Sequence, residues 1–205
     1  EFRGDDGITA EFWLKVPNTS SNRVVFDITG SAAGQIFMAL GSGDRFQMNL
    51  GTGSAATPTP LPVLDDVIDG AFNTWNHYAV TVLSSSAGLT YKGFKNGQLK
   101  KTTVSARHLP TILPTTNGLN MTIASGSAIP GVGAFDLLTG SIDEFRFWKK
   151  AKTTEEIYNS WFTAIGGGTN KHDSNVALGL YFKFNEGITT DTSLDSIALD
   201  YSGRI

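Results

Sequence analysis

The sequence predicts an all-β antiparallel sandwich with one short amphipathic helix and an extended C-terminal arm. Three observations predict it. Apolar residues recur with period two in short segments along most of the chain. Turn-forming residues separate these segments, with glycine alone contributing 23 of 205 residues. A single segment carries helical periodicity. Short strands broken by frequent turns are the pattern of a sandwich rather than of an α/β fold.

The first strand is Ile8–Val16, with Ile8, Ala10, Phe12, Leu14 and Val16 on one face and Thr9, Glu11, Trp13 and Lys15 on the other. Arg23–Ile28 and Gln35–Leu40 follow. Arg45–Leu50 alternates again after a Gly-Ser-Gly-Asp turn. Segments 51–62 and 125–135 read as irregular loops, the first because it is low in complexity and its prolines favour extended backbone. Trp75–Leu83 sets Tyr78, Val80 and Val82 against His77, Ala79 and Thr81. Leu89–Lys95 runs into Asn96-Gly97, the strongest short hairpin signal, and returns through Gln98–Val104. Leu119–Ala124 and Ser141–Trp148 are further strands. Thr153-Thr-Glu-Glu156 is a capping box, and Ile157, Trp161 and Ile165 then recur every four residues until Gly166-Gly167-Gly168 ends the helix. A helix of about three turns is marginal alone and must lie against the sandwich. Leu178–Asn185 is a last strand, with Leu178, Leu180, Phe182 and Phe184 on one face. The expected division is a sandwich over 1–165 and a glycine linker with a C-terminal arm over 166–205.

Composition excludes several functions. The net charge of −3 without a basic block argues against nucleic acid and against anionic membrane surfaces. With no cysteine there is no thiol catalysis, zinc-thiolate site or disulfide. No apolar run approaches the roughly 20 residues of a membrane helix, and EFRGDDGI carries no signal-peptide core. The absence of cysteine is ordinary for a bacterial surface protein or a virion component.

Trp75-Asn-His-Tyr-Ala-Val80, Lys95-Asn-Gly97 and Gly140-Ser-Ile-Asp-Glu-Phe-Arg-Phe147 occur in the order in which similar phrases occur in the laminin G-like, concanavalin A-like superfamily. Over residues 7–165 the chain resembles that family. The resemblance implies two antiparallel sheets in a jelly roll, one of them often concave and used for glycans. Phe184-Asn-Glu-Gly187 and Asp200-Tyr-Ser-Gly203 resemble the phrase that commonly opens such a domain, here at the end of the chain. The chain itself opens at what resembles an interior strand. A sheet lacking its first strand leaves unpaired backbone groups at an edge. A neighbouring copy could fill that edge through Leu178, Leu180, Phe182 and Phe184, or the terminal strand could fold into its own sandwich. Both remain open at the level of sequence.

Several chemistries are then tested residue by residue. The glucanases of this fold carry Glu-x-Asp-x-x-Glu on a strand, with the paired acids about 5 Å apart. Around Asp143 that pattern would need glutamate at Ser141 and at Arg146, and strand alternation puts Glu144 on the opposite face, so no catalytic residues are assigned. Relatives often hold Ca²⁺ at the rim; Asp143, Asp5, Asp6 and Asp200 are the candidate oxygen donors, with loop anchoring as the competing role of Asp143. Asp65–Gly70 fails as an EF-hand loop because Val67 and Asn76 stand where ligands belong. A glycan site needs an aromatic platform with polar neighbours: Trp13 and Trp75 are the rings, Asn49, Asn73 and Gln47 the polar company. Trp13 lies on the polar face of its strand, which the helix could cover. Asn18 and Asn120 head N-glycosylation sequons.

The expected function is a non-catalytic structural and adhesion module, repeated in an extracellular fibre such as a surface filament or phage appendage and partnered by copies of itself. The alternative is a monomeric carbohydrate-binding module whose partner is a glycan. A glycoside hydrolase is the third class and has the least support.

Overall fold

A computed structural model describes residues 6–17, 22–30, 35–41, 43–51, 61–65, 67, 72–106, 119–126, 135–165, 176–186 and 198–203. Eleven strands and one helix lie within them. The strands are β1 (Ile8–Lys15), β2 (Arg23–Gly30), β3 (Gln35–Gly41), β4 (Arg45–Gly51), β5 (Leu61–Leu64), β6 (Asn76–Ser85), β7 (Gly88–Lys95), β8 (Gln98–Ser105), β9 (Leu119–Ile123), β10 (Ser141–Trp148) and β11 (Leu178–Phe182), with α1 (Thr154–Ser160) between the last two. A six-stranded sheet has the order β11-β10-β1-β6-β7-β8 and a five-stranded sheet the order β5-β4-β3-β2-β9. All ladders are antiparallel, as the jelly-roll expectation requires.

The core lies between the sheets and follows the alternation read from the sequence. Ile8, Ala10, Phe12 and Leu14 from β1 meet Phe26, Met38, Phe46 and Met48 from the other sheet. At its centre Phe12 stacks on Phe145 at 6.1 Å and meets Phe46 edge-on at 5.9 Å, while Phe46 meets Tyr78 at 5.0 Å. Each fully buried aromatic of this kind stabilises the fold by about 1.5–3 kcal/mol relative to exposure. At the predicted hairpin, Asn96 and Gly97 take φ of +49° and +75°. Gly97 is required twice over, since a Cβ there would meet the Trp161 indole at 2.2 Å.

Three local readings change, and a fourth, left open above, takes one of its two forms. Leu61–Leu64, half in the expected loop, is a strand; as the edge of its sheet it accommodates Pro62 without losing a ladder bond on both sides. The helix keeps its capping box, Thr153 Oγ1 accepting from Glu156 N–H and the Glu156 carboxylate accepting from Thr153 N–H. It is shorter than predicted, because the Ser160 carbonyl accepts both the N–H and the hydroxyl of Thr163 in a tight turn. The terminal strand pairs with β10 of the same chain. Finally, Leu178 does not share a face with its expected companions. Trp148 pairs with Leu178 and Phe147 with Leu180, so the irregularity at Gly179 turns Leu178 towards Trp148 and Tyr181, while Leu180, Phe182 and Phe184 pack on the main core. Most of 125–135 lies outside the described residues.

Candidate functional site

The outer face of the six-stranded sheet carries the chemistry, and its two ends differ. At one end Ile157 of α1 packs on Ala79 and Phe94 and closes the face. Beneath the helix lies a buried set of charges. Glu11, fully buried, accepts at Oε1 from Trp148 Nε1 at 2.8 Å and from Lys152 Nζ at 3.3 Å, with Arg146 Nη1 at 3.6 Å. Arg146 Nη2 donates to Glu144 Oε2 and to the Thr163 carbonyl, and Tyr181 OH donates to the same Glu144 oxygen. Lys152 also donates to Ser160 Oγ and lies over the Trp148 ring. Two acids thus face two bases. Burial would push the Glu11 carboxyl up, but the charges of Lys152 and Arg146 and the hydrogen bond from Trp148 outweigh it and hold it below its ordinary value. His77 sits 3.8 Å from Glu11 Oε2, and burial lowers its pKa to about 4, so the ring is neutral at pH 7 and the set is balanced. Burial also lowers Lys152, although Glu11 opposes it. Both carboxylates tie strands and helix together, through Glu11 Oε1 and Glu144 Oε2, while Glu11 Oε2 has no hydrogen-bond partner among the described residues.

The other end is open. Trp13 marks the boundary, lying 5.7 Å from both the His77 and Trp161 rings and half-buried by them. Two residues on, Lys15 pairs across to Ser141 of β10 and places its ammonium 5.5 Å from the centre of the Trp75 ring. Trp75 is 40% exposed; Phe72 and Asn73 in the turn before it and Ser141 on the far side of Lys15 are exposed as well. Asn73 takes φ of +58°, a conformation asparagine tolerates, and its N–H donates to the Val16 carbonyl, fixing the turn that presents Trp75. Of the five expected glycan residues, Trp13, Trp75 and Asn73 therefore belong to one end of one face.

Asn49 does not join them. It lies on β4, opposite Phe37, on the outer face of the five-stranded sheet. There Phe135 covers Phe37 at 4.8 Å, Gln35 Nε2 donates to Asp27, and Asn49 is 3% exposed with Oδ1 unpartnered among the described residues. Gln47 lies on the same face, two residues from Asn49.

The expected metal donors are spread out. Asp200 is occupied structurally: its Oδ1 accepts from the Tyr181 and Ser202 N–H groups and its Oδ2 from the Ser202 hydroxyl. Asp143 Oδ1 accepts from Glu144 N–H, the anchoring role weighed against metal binding. Asp6 accepts through its carbonyl from Ala151 N–H, and Asp5 lies outside the described residues. Among the described residues no three His, Cys, Asp or Glu side chains come together as a potential metal site. The assumption that Glu144 faces away from Asp143 fails. Ile142 and Phe145, three apart, both pack on the core, because a bulge at Glu144, with φ of +51°, inserts an extra residue. Asn120 is exposed on β9, while Asn18 lies outside the described residues. The residue that sequence reasoning missed is Lys15; its place one step from Trp75 follows from the β1–β6 register, which no local pattern reports.

The sequence matches the family model of the concanavalin A-like lectin/glucanases superfamily over residues 1–158. No curated protein sequence matches the chain. Among solved structures, a candidate carbohydrate-binding protein from Bacteroides ovatus is similar over 97% of this chain and 50% of its own, with 17% identity and a TM-score of 0.58. The CBM40 module of the Ruminococcus gnavus IT-sialidase, bound to α2,3-sialyllactose, is similar over 76% of this chain and 83% of its own, at 13% identity and TM-score 0.51. Domains LG4-5 of the mouse laminin α1 chain are similar over 74% of this chain and 38% of theirs, at 12% and 0.50. At these identities the likeness is one of fold, and the chain spans half the length of the Bacteroides protein.

Proposed function

The chain belongs to the concanavalin A-like lectin/glucanases superfamily, and from that premise we propose that it is a non-catalytic carbohydrate-binding module working outside the cell. The observation that carries the proposal is the half-exposed Trp75 indole at the open end of the sheet, held by a fixed turn that includes Asn73 and bordered by Lys15, with Ser141 on the strand beyond. A sugar ring offers an apolar C–H face that stacks on an indole and hydroxyls that bond neighbouring polar groups. The Bacteroides and Ruminococcus structures support the carbohydrate reading through their fold. The non-catalytic part rests on the acids: Glu11, Glu144 and Asp200 are engaged in holding the fold, and Asp143 accepts a backbone N–H. The test is a glycan array with the wild type and Trp75→Ala. Specific binding that disappears in a variant with an unchanged melting curve supports the reading; an array without a single ligand ends it.

A second reading, strand sharing between copies in an extracellular fibre, is favoured by one observation. β11 fills an edge of the six-stranded sheet yet lies beyond the matched residues 1–158. For sharing, that slot would be occupied by a neighbour's strand. Light scattering of the purified chain tests it: a concentration-dependent ladder supports sharing, and a monomer near 22 kDa removes it.

A further inference from the structure

We propose that the open end of the six-stranded sheet selects carboxylated sugars, with Lys15 reading the carboxylate; the inference rests on the carbohydrate reading above. Several basic residues around the sheet are used by the fold itself. Arg146 and Lys152 are matched to Glu11 and Glu144, Lys150 to Glu156, and Lys101 to Asp65. Lys15 has no carboxylate partner among the described residues, and its ammonium lies against the exposed Trp75 ring. A cation–π contact at so exposed a site is weak, and an ammonium held there keeps most of its capacity to donate.

A pyranose laid on Trp75 would carry its substituents around the rim of the indole, within reach of that ammonium. A carboxylate there gains charge-assisted hydrogen bonds, roughly twice as strong as neutral ones. A hydroxyl at the same place gains only a neutral acceptor's bond. Ser141, paired with Lys15 across β1 and β10, adds a hydroxyl on the same row. Asp143 is one row further in, opposite Trp13, with its Oδ1 already accepting from the Glu144 backbone. The net charge of the chain is −3, so the molecule as a whole repels anions and any preference for acidic sugars must be local.

The experiment uses the full chain and matched glycan pairs: oligogalacturonate and sialyllactose, each beside its methyl ester, titrated by calorimetry. The expected result is a preference of about tenfold for the acid forms, falling as salt rises. Lys15→Met keeps most of the apolar stem and removes the charge; it should abolish the preference by bringing acid binding down to that of the ester, with the melting curve unchanged. Equal binding of acid and ester by the wild type, or a preference that survives in Lys15→Met, overturns this inference and leaves the carbohydrate reading standing. No binding of either member of any pair, together with an empty glycan array, overturns both.

Discussion

Glu11 and Lys15 stand four residues apart on the same face of β1, and they have opposite surroundings. Glu11 is sealed under α1 with two bases, an indole N–H and a neutral histidine around it. Lys15 lies beyond the reach of the helix, against a ring that is open to solvent. The difference teaches how to separate architecture from function on this face. A charge whose partners are all supplied by the chain is spent on holding the fold, whereas a charge left beside an accessible aromatic is available to a ligand.

The comparison is most easily broken at the closed end. Glu11→Ala leaves Lys152 and Arg146 buried beside a lost countercharge and should cost about 3–5 kcal/mol in urea unfolding. A loss below about 1 kcal/mol would mean that water reaches the cluster and that the two ends are alike.

Acid should find the same weakness. His77 has a folded pKa of about 4 against an ordinary 6.5, so the unfolded chain binds more protons in that window. Stability is therefore full above about pH 6.5 and falls towards pH 4, by on the order of 3 kcal/mol. Glu11, whose folded value is also depressed, adds to the loss at the acid end. His77→Leu should flatten the slope between pH 6.5 and 4; an unchanged slope would assign it to other groups.

Between the two ends, Gly97→Ala tests how Trp161 is seated. The positive φ and the collision with the indole together predict a loss of about 1–2 kcal/mol, with a change in the near-ultraviolet signal of the tryptophans. The smallest effect belongs to the open end. Trp75→Ala and Lys15→Met should each alter stability by no more than about 0.5 kcal/mol. Their cost is expected in glycan binding. Should either variant unfold the chain, the open end would count as architecture as well.

The strands, the Asn96-Gly97 turn and the Thr153–Glu156 cap were legible in the sequence because each depends on residues one to four positions apart. Period-two alternation reports which side of a strand meets the core, and a capping box reports where a helix begins. The same local rules gave the wrong result at Glu144 and at Leu178, where a bulge inserts one extra residue and alternation loses its phase. They also missed β5, whose existence depends on the free edge of β4 rather than on its own composition. Trp13 and Trp75 were legible as aromatic candidates, but not that Trp161 covers one and leaves the other exposed. Which acid meets which base was beyond sequence altogether: the Glu11–Lys152 pair spans 141 positions. By itself the sequence determined the fold and the inward face of each strand, because hydrophobic burial is read residue by residue. The outward face was decided only by tertiary structure, because its burial and its charge pairing depend on how far a helix from the other end of the chain reaches across the sheet.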